Sequence, residues 1–541
     1  MANIFKDVAM KKPRYNTFNL NHERKMSFNI GQLIPFLVID TLPGDRYTLQ
    51  SSQILRFAPM VFPVMHRINV YTHYFFVPNR ILWGNWGDFI TGGEDGTKFP
   101  TFPTFQDQLG NVSTLMDYLG LPQQQGTTSN ITLSVLPLAA YQAIWNEYYR
   151  DQNLQAEINY VVQDGDNPIG AGLGTLRNRA WQHDYFTSAL PWTQKGPEAT
   201  IPLGQYADVE FYGGAEGNPL NAVTLYKDAV SSQPIGDYPT ASNNAALRAS
   251  DGTANFGSKG QIINSNGVPD NPDRFGVIDN SQSLRTNLSQ ATAATINDLR
   301  KAFRLQEWLE KNARGGSRYT ESILVHFGVK SSDARLNRPE YLGGGSSPVQ
   351  FSEVLQTSPT ASDLFPTPQG NMAGHGINAG SNSPVKYFCE EHGYIIGIMS
   401  VMPVTEYFQG IPKHFRKFDK FDYGWPTFAN LGEQEIQGLE IYANTDQGYF
   451  TSTFGYTPRY AEYKFINSSV HGEFRTNLDK WHMARKFSNA PQLNDEFIQC
   501  EAKETDRIFA VASDVAQTMY CHIYNKVKAK RALPVFGTPT I

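Results

Sequence analysis

Residues 67–77 read RINVYTHYFFV. In an extended chain Ile68, Val70, Thr72, Tyr74 and Phe76 fall on one face and Asn69, Tyr71, His73 and Phe75 on the other, the two-residue period of a β-strand. Pro78 has no N–H to offer a neighbouring strand and closes the run. Outward from this stretch, 45–57, 201–211, 322–329 and 394–402 carry strand signals of the same kind, and Leu42-Pro43-Gly44-Asp45 is a turn between two of them. Helices are fewer. Leu138, Tyr141, Trp145 and Tyr148 form one apolar stripe at helical spacing. Residues 296–314 form the clearest helix, opened by a capping box from Thr295 to Asp298 and stopped by Gly315-Gly316. Its apolar face, Leu299, Phe303 and Leu309, is expected in the core. The fold class is mainly β.

Two stretches interrupt the pattern. Residues 212–283 are rich in Gly, Ser and Asn without a clean period, as expected of a long insertion projecting from a body. Residues 343–386 form a second loop-rich stretch. No tandem repeat of fixed period is evident. The expected organisation is one large β-domain spanning 1–541 with long excursions.

Composition agrees with this. Charged residues make up 18% of the 541 positions, against about 25% in ordinary soluble domains. Aromatics reach 13%, with 45 Gly and 32 Pro. Few charges, many rings and many turn residues suit an all-β protein with extensive protein–protein surface. A net charge of -5 excludes a uniformly basic nucleic-acid coat and a strongly acidic disordered chain. The three cysteines, Cys389, Cys500 and Cys521, are too few and too scattered for a disulfide framework, which points to a reducing compartment. The opening residues lack the apolar core of a secretory signal. The longest apolar stretch, 394–404, is about half the ~20 residues that span a bilayer, so no membrane insertion is expected.

Charge is unevenly placed. Residues 1–25 carry Lys6, Lys11, Lys12, Arg14, Arg24 and Lys25 against Asp7 and Glu23, and residues 522–541 carry Lys526, Lys528, Lys530 and Arg531 with no acid. Each end is net +4, which leaves -13 for the rest. A basic N-terminal arm (1–25) and a basic C-terminal tail (522–541) on an acidic body fit ends that face a polyanion. A third cluster, KHFRKFDKF at 413–421, places Phe415, Phe418 and Phe421 between Lys413, Arg416, Lys417 and Lys420. Cations neutralise phosphates while rings stack on unpaired bases, so the pattern suits single-stranded nucleic acid. The blander expectation for each Phe is a core anchor, with the cations facing solvent.

Catalytic signatures are missing. There is no Gly-Lys pair for a phosphate-binding loop, no HExxH, no CxxC and no G-x-S-x-G elbow. Gly170, Gly172 and Gly174 lack the third glycine of a dinucleotide fingerprint. His392 stands alone beside Glu390 and Glu391, which makes no metal site. Paired carboxylates for glycoside hydrolysis depend on three-dimensional spacing, which the sequence leaves open. The expectation is a non-enzyme without a cofactor. Asp164, Asp166 and Asn167 are the polar cluster where structural calcium would sit, although such loops are ordinarily turns.

Several blocks resemble the major capsid proteins of microviruses, small single-stranded DNA phages, and particularly their gokushovirus branch. They are FNLNHERKMSFNIGQLIPF (18–36), LPGDRYTLQSSQILRFAPMVFPVMHRINVYTHYFFVPNRILWGNWGDFITGG (42–93), RYTESILVHFGVKSSDARLNRPEYLGGG (318–345), EVLQTS (353–358), TPQGNMAGHG (367–376), EHGYIIGIMSV (391–401), FDYGWPTFANLGEQEI (421–436), FGYTPRYAEYKF (454–465) and VHGEFRTNLDKWHMARKF (470–487). They run in family order over nearly the whole chain. Residues 212–283 are the region without a match, where such proteins carry a variable insertion.

The resemblance implies an eight-stranded viral jelly roll and a T=1 icosahedral virion of sixty copies around circular single-stranded DNA, assembled in the bacterial host cytoplasm. It assigns 212–283 to a three-fold surface protrusion, a candidate surface for binding a host receptor. It also implies an internal scaffolding protein during assembly. Sixty copies at -5 sum to about -300, so a separate small basic DNA-binding peptide is expected to share neutralisation of the genome. The candidate DNA contacts are Lys11, Lys12, Arg14, Lys413, Phe415, Arg416, Lys417, Lys526, Lys528, Lys530 and Arg531. Trp83, Trp86 and Phe89, beside Gly84 and Gly87, are candidates for contacts between copies, and core packing explains them equally well. The competing class is a carbohydrate-binding or carbohydrate-active β-sandwich, since jelly rolls host both roles. A tail or spike component would show repeats or a fibrous stretch, and neither is present.

Overall fold

The computed structural model describes residues 14–107, 112–123, 130–197, 199, 296–316, 318–359, 369–443 and 447–536. Between 200 and 295 it describes the strands Val209–Tyr212, Ala222–Tyr226, Pro234–Pro239, Asn255–Phe256, Ile262–Ile263, Val277–Ile278 and Ser283–Thr286. Two compact units are present, residues 1–195 with 309–541, and residues 196–308.

Among the described residues, the two large sheets of the first unit use eleven strands: β1 (Asn16–Asn19), β2 (His22–Phe28), β3 (Ile34–Thr41), β4 (Arg46–Phe57), β5 (Ile68–Pro78), β6 (Glu340–Pro348), β7 (Gln350–Leu355), β8 (Met372–Ser381), β9 (Val385–Phe388), β10 (Gly393–Pro403) and β11 (Met519–Arg531). They form two antiparallel sheets. One has four strands in the order β6-β5-β10-β3. In the seven-stranded sheet β11 pairs with β4 and with both β1 and β2, β4 also pairs with β8 and β9, and β7 pairs with β8. Alternation sets the faces. Along β4, Tyr47, Leu49, Ser51, Gln53, Leu55 and Phe57 are buried while Arg46, Thr48, Gln50, Ser52, Ile54 and Arg56 point outward. β11 runs beside it in register from Lys530 opposite Arg46 to Met519 opposite Phe57, burying Cys521, Ile523, Val527 and Ala529.

The inner faces share one core in which Phe28, Phe36, Leu49, Tyr74, Phe76, Met399 and Ile523 are fully or almost fully buried. This is the sandwich of a jelly roll, and the mainly-β reading holds. A polar node crosses it. Ser51 Oγ lies 2.6 Å from the Tyr74 hydroxyl and donates to Asn525 Oδ1 at 2.7 Å, while Asn525 Nδ2 donates to the Phe36 carbonyl at 3.2 Å and Asn382 Nδ2 to Tyr74 at 3.0 Å. Burial raises the Tyr74 pKa.

The strand at 67–77 has a second buried face. Phe75 and Val77 pack with Ile396 and Ile398 beneath α1 (Leu136–Ile144), so this sheet is covered on both sides at that end. The expected stripe is present. Leu138, Tyr141 and Trp145 are buried, and α1 passes into a wider π-turn over Trp145–Tyr149. All three cysteines are buried and unpaired, and burial pushes the Cys389 and Cys521 thiols up to about 12.

Three expectations fail. Residues 343–386, expected as loop-rich, lie mostly in strands β6, β7, β8 and β9, because Gly374, Gly376 and Asn378 take the inward positions of β8, and at the two glycines Phe62, Phe57 and Phe351 come too close for larger side chains. Residues 322–329 are not a strand, because Tyr319–Phe327 is a helix, α3. Glu321 accepts the Arg318 backbone N–H at 3.1 Å to open it, and Gly328 closes it at φ +68°. A short apolar run carries no period that separates strand from helix, and the capping groups decide. Helix α2 (Ile296–Gly315) forms and stops at Gly316, whose φ is +94°. Leu299 and Phe303, however, are exposed, and Leu309 is half-buried. Periodicity shows which residues share a face, not whether anything in the same chain covers it. Thr295 lies outside the described residues. Of the expected strand at 201–211, only Val209–Tyr212 is described, paired with Ser283–Thr286.

The second unit is antiparallel as well. Ala222–Tyr226 lies between Pro234–Pro239 and Val277–Ile278, and Asn255–Phe256 pairs with Ile262–Ile263.

Candidate nucleic-acid interface

The residues expected to meet DNA part into three groups. Lys11 and Lys12 lie outside the described residues, and Arg14 is exposed just before β1. Lys526, Lys528, Lys530 and Arg531 belong to the expected basic C-terminal tail, 522–541. Residues up to 531 are instead strand β11, locked between β4 and the β1–β2 pair. Within the described part of the expected N-terminal arm, residues 16–19 and 22–25 are likewise paired, in β1 and β2.

Strand alternation gives the β11 lysines a common direction. Lys526, Lys528 and Lys530 project from the outer face of the seven-stranded sheet with Tyr520 and Tyr524. Register adds to them. Arg46 stands opposite Lys530 and beside Phe388, its guanidinium 5.4 Å from the ring centroid, and Lys386 stands opposite Thr48. Arg56 lies opposite Tyr520, and Lys25 opposite His522. Among the described residues the one acid on this stretch of the face is Glu23, paired with His522 at 3.1 Å. None of these seven cations has a carboxylate within ion-pair distance among the described residues. Two shallow grooves run through the face. One of about 600 Å³ is lined by Arg46, Lys386, Phe388, Lys528 and Lys530, and one of about 560 Å³ by Lys25, Arg56, Tyr520 and His522.

Arg531 behaves differently. It folds back onto Asp45 at 2.8 Å and against the Tyr47 hydroxyl, a structural pairing that withdraws it from the face. Burial raises the Tyr47 pKa well beyond its ordinary value. The sequence reading missed Arg46, Arg56 and Lys386, although the alternation of 45–57 carried the signal for the first two.

The 413–421 cluster reverses the expectation. Lys413 donates to the Glu435 carbonyl at 3.0 Å and pairs with Glu440 at 3.6 Å. Arg416 is taken by the Gln437 side chain. Lys417, its side chain 6% exposed, pairs with Glu462 at 3.5 Å and sits 3.8 Å from the Tyr463 ring centroid. Its hydrogen bond to Tyr463 holds that hydroxyl's pKa below the usual value. The phenylalanines are displayed instead, Phe415 at 68% and Phe418 at 88% exposure. Lys413, Arg416 and Lys417 are therefore structural, Lys420 stays exposed, and the rings are not core anchors. Desolvated ammonium groups need partners more than exposed rings need cover.

Trp83 is not an interface residue. It is 1% exposed, donates Nε1–H to Asp164 at 2.7 Å and packs edge-on against Trp86 and Phe102. Trp86 is half-buried against His392, and Phe89 is 38% exposed beside Ile90. Asp164 thus anchors an indole, and Asn167 closes its own turn onto Gln163 and Gly165.

The chain matches the model of the family described as "Capsid protein (F protein)" over residues 7–541. It belongs to that capsid protein family. It is 34% identical to capsid protein VP1 of Chlamydia phage 1, covering all of this chain and 98% of the relative. With capsid protein VP1 of Bdellovibrio phage phiMH2K it shares 37% identity over 89% of this chain and 87% of the relative. With that of Spiroplasma virus 4 it shares 31% over 98% and 97%. A microvirus capsid protein is thereby shown, and with it self-assembly and a place in the virion. No helix among the described residues is long and apolar enough to cross a membrane.

Proposed function

We propose that sixty copies of this chain close into a T=1 icosahedral shell around circular single-stranded DNA, with the outer face of the seven-stranded sheet turned toward the genome. The observation that carries this reading is the display of Lys25, Arg46, Arg56, Lys386, Lys526, Lys528 and Lys530 around Tyr520, Tyr524 and Phe388, with one acid among them. Unpaired cations attract phosphates, and rings between them stack on unpaired bases. The face is local. The whole chain is still net -5, so a small basic peptide supplies the remaining neutralisation. An internal scaffolding protein belongs to the same reading, as does assembly in the host cytoplasm. So does a role for 212–283 as a three-fold protrusion that meets a host receptor. The chain acts through its surfaces, without catalysis, cofactor or calcium.

Cryo-electron microscopy of particles from the source tests the reading. The expected result is a sixty-copy shell with nucleic-acid density against the β11 lysines, and surface bumps that vanish when 212–283 are deleted. Density lying elsewhere refutes the DNA face. Bumps that persist after the deletion refute the protrusion.

A further inference from the structure

The exposed rings at 413–428 belong to a larger surface. Lys417 lies between two of them, 3.8 Å from the Tyr463 centroid and 5.6 Å from that of Tyr423. The Gly424 N–H donates to the Tyr463 hydroxyl at 3.2 Å, and the Trp425 indole donates to the Lys420 carbonyl at 2.8 Å. Lys420 in turn lies 4.9 Å from the Phe421 centroid. A groove of about 900 Å³ continues the patch past Phe415 to Tyr463, Phe465 and Ile466. The apolar members of the patch, Phe415, Phe418, Phe421, Tyr423, Trp425, Tyr463, Phe465 and Ile466, are between 48% and 89% exposed. At ~200 Å² for a large side chain, the eight present on the order of 1,000 Å². That exceeds the ~300–600 Å² of the largest apolar patch on an ordinary monomer and matches the ~800 Å² that each partner gives to a stable interface.

We propose that this aromatic surface is a contact between copies of the chain. The inference rests on the shell reading and names one of the faces through which the shell is joined. Charge selects the occupant. Lys413 and Lys417 are already paired with Glu440 and Glu462, and Arg416 is hydrogen-bonded to the Gln437 side chain, which leaves Lys420 as the exposed cation of the 413–421 cluster, so a phosphate backbone finds far fewer available charges here than on the β11 face. Copies that each carry -5 repel one another, and they meet most readily where the charges are internally neutralised and the rings are bare. The surface is also held ready. The Asp422 carboxylate accepts the backbone N–H groups of Phe418 and Asp419, each at 2.8 Å, which fixes the turn that displays Phe418 before any partner arrives.

Hydroxyl-radical footprinting of purified particles, of the same particles after DNA removal, and of the dissociated chain tests the proposal. Phe418 and Ile466 are expected to be oxidised at least ~10-fold more slowly in particles, with or without DNA, than in the dissociated chain. Equal rates in particles and dissociated chain overturn it. Protection that disappears with the DNA overturns it in favour of a nucleic-acid surface. Particles that are not sixty-copy shells refute the shell reading, whereas unprotected rings in a closed shell refute this surface alone. As a second measurement, Phe418→Gln with Ile466→Gln, at two of the most exposed positions, leaves the far-ultraviolet circular dichroism unchanged. It lowers self-association in sedimentation velocity at least ~100-fold. Association equal to that of the unsubstituted chain overturns the proposal.

Discussion

Replacing Lys526, Lys528 and Lys530 together by Gln separates the β11 face from every other account of DNA contact. All three side chains leave the strand on its solvent side, while the β11–β4 ladder is carried by the backbone and by Cys521, Ile523, Val527 and Ala529 on the other face. The fold is therefore kept. Each phosphate neutralised on a single strand contributes about 0.7 to the slope of log K against log salt. Seven cations give a slope near -4.9 and four give one near -2.8, so the substitution removes about 2.1. At ~0.1 M salt that is a loss of about 100-fold in affinity, and the two curves converge toward ~1 M. Fluorescence anisotropy with a labelled oligothymidylate of about 20 nucleotides, titrated at several salt concentrations, reads both quantities. A variant with the slope of the unsubstituted protein refutes the assignment of this face. Lys417→Gln is the control. Its ammonium is engaged by Glu462 and Tyr463, so the slope stays and stability falls by about 2 kcal/mol.

Three further outcomes follow from the geometry. Asn525→Ala strips partners from buried Ser51 and the Phe36 carbonyl, and urea unfolding is expected to show a loss of about 2–3 kcal/mol; a loss under ~0.5 would contradict the cross-sheet node. Gly316→Ala places a Cβ against the Glu321 carboxylate at φ +94°, and the melting curve is expected to report a loss of about 1–2 kcal/mol. His73, hydrogen-bonded to the Tyr149 hydroxyl at 2.7 Å, is held by burial, with Arg179 adding to it, at a pKa of about 4. Its neutral form contributes stability that is present above the unfolded pKa near 6.5 and is lost as pH falls from there through about 4, on the order of 3 kcal/mol in all; His73→Gln is expected to flatten the pH dependence of the urea midpoint in that window.

Much of the fold was legible because strand alternation is a local property. Residues 67–77 and 45–57 declare their inner faces from side-chain order alone, and Gly315-Gly316 marks a helix end because Gly316 occupies a conformation that few other residues adopt. The helix at 319–327 was not legible, since its decisive signals are a side-chain cap from Glu321 and the positive φ of Gly328. The DNA-facing candidates divided on the same principle. Lys526, Lys528 and Lys530 share a side because they alternate on one strand. Arg46 and Lys386 join them through pairing with residues far away in the chain.

The sequence by itself determined the mainly-β class, the family and the presence of three basic stretches, because each is written in local order or in blocks that keep that order. Only the tertiary structure decided which cations are available. Lys417 and Arg531 look like Lys526 and Lys530 in the sequence, but Glu462 and Asp45 are brought to the first pair by the fold, and no acid among the described residues is brought to the second. The energy of a charge depends on what surrounds it within a few ångströms, and those neighbours come from distant parts of the chain.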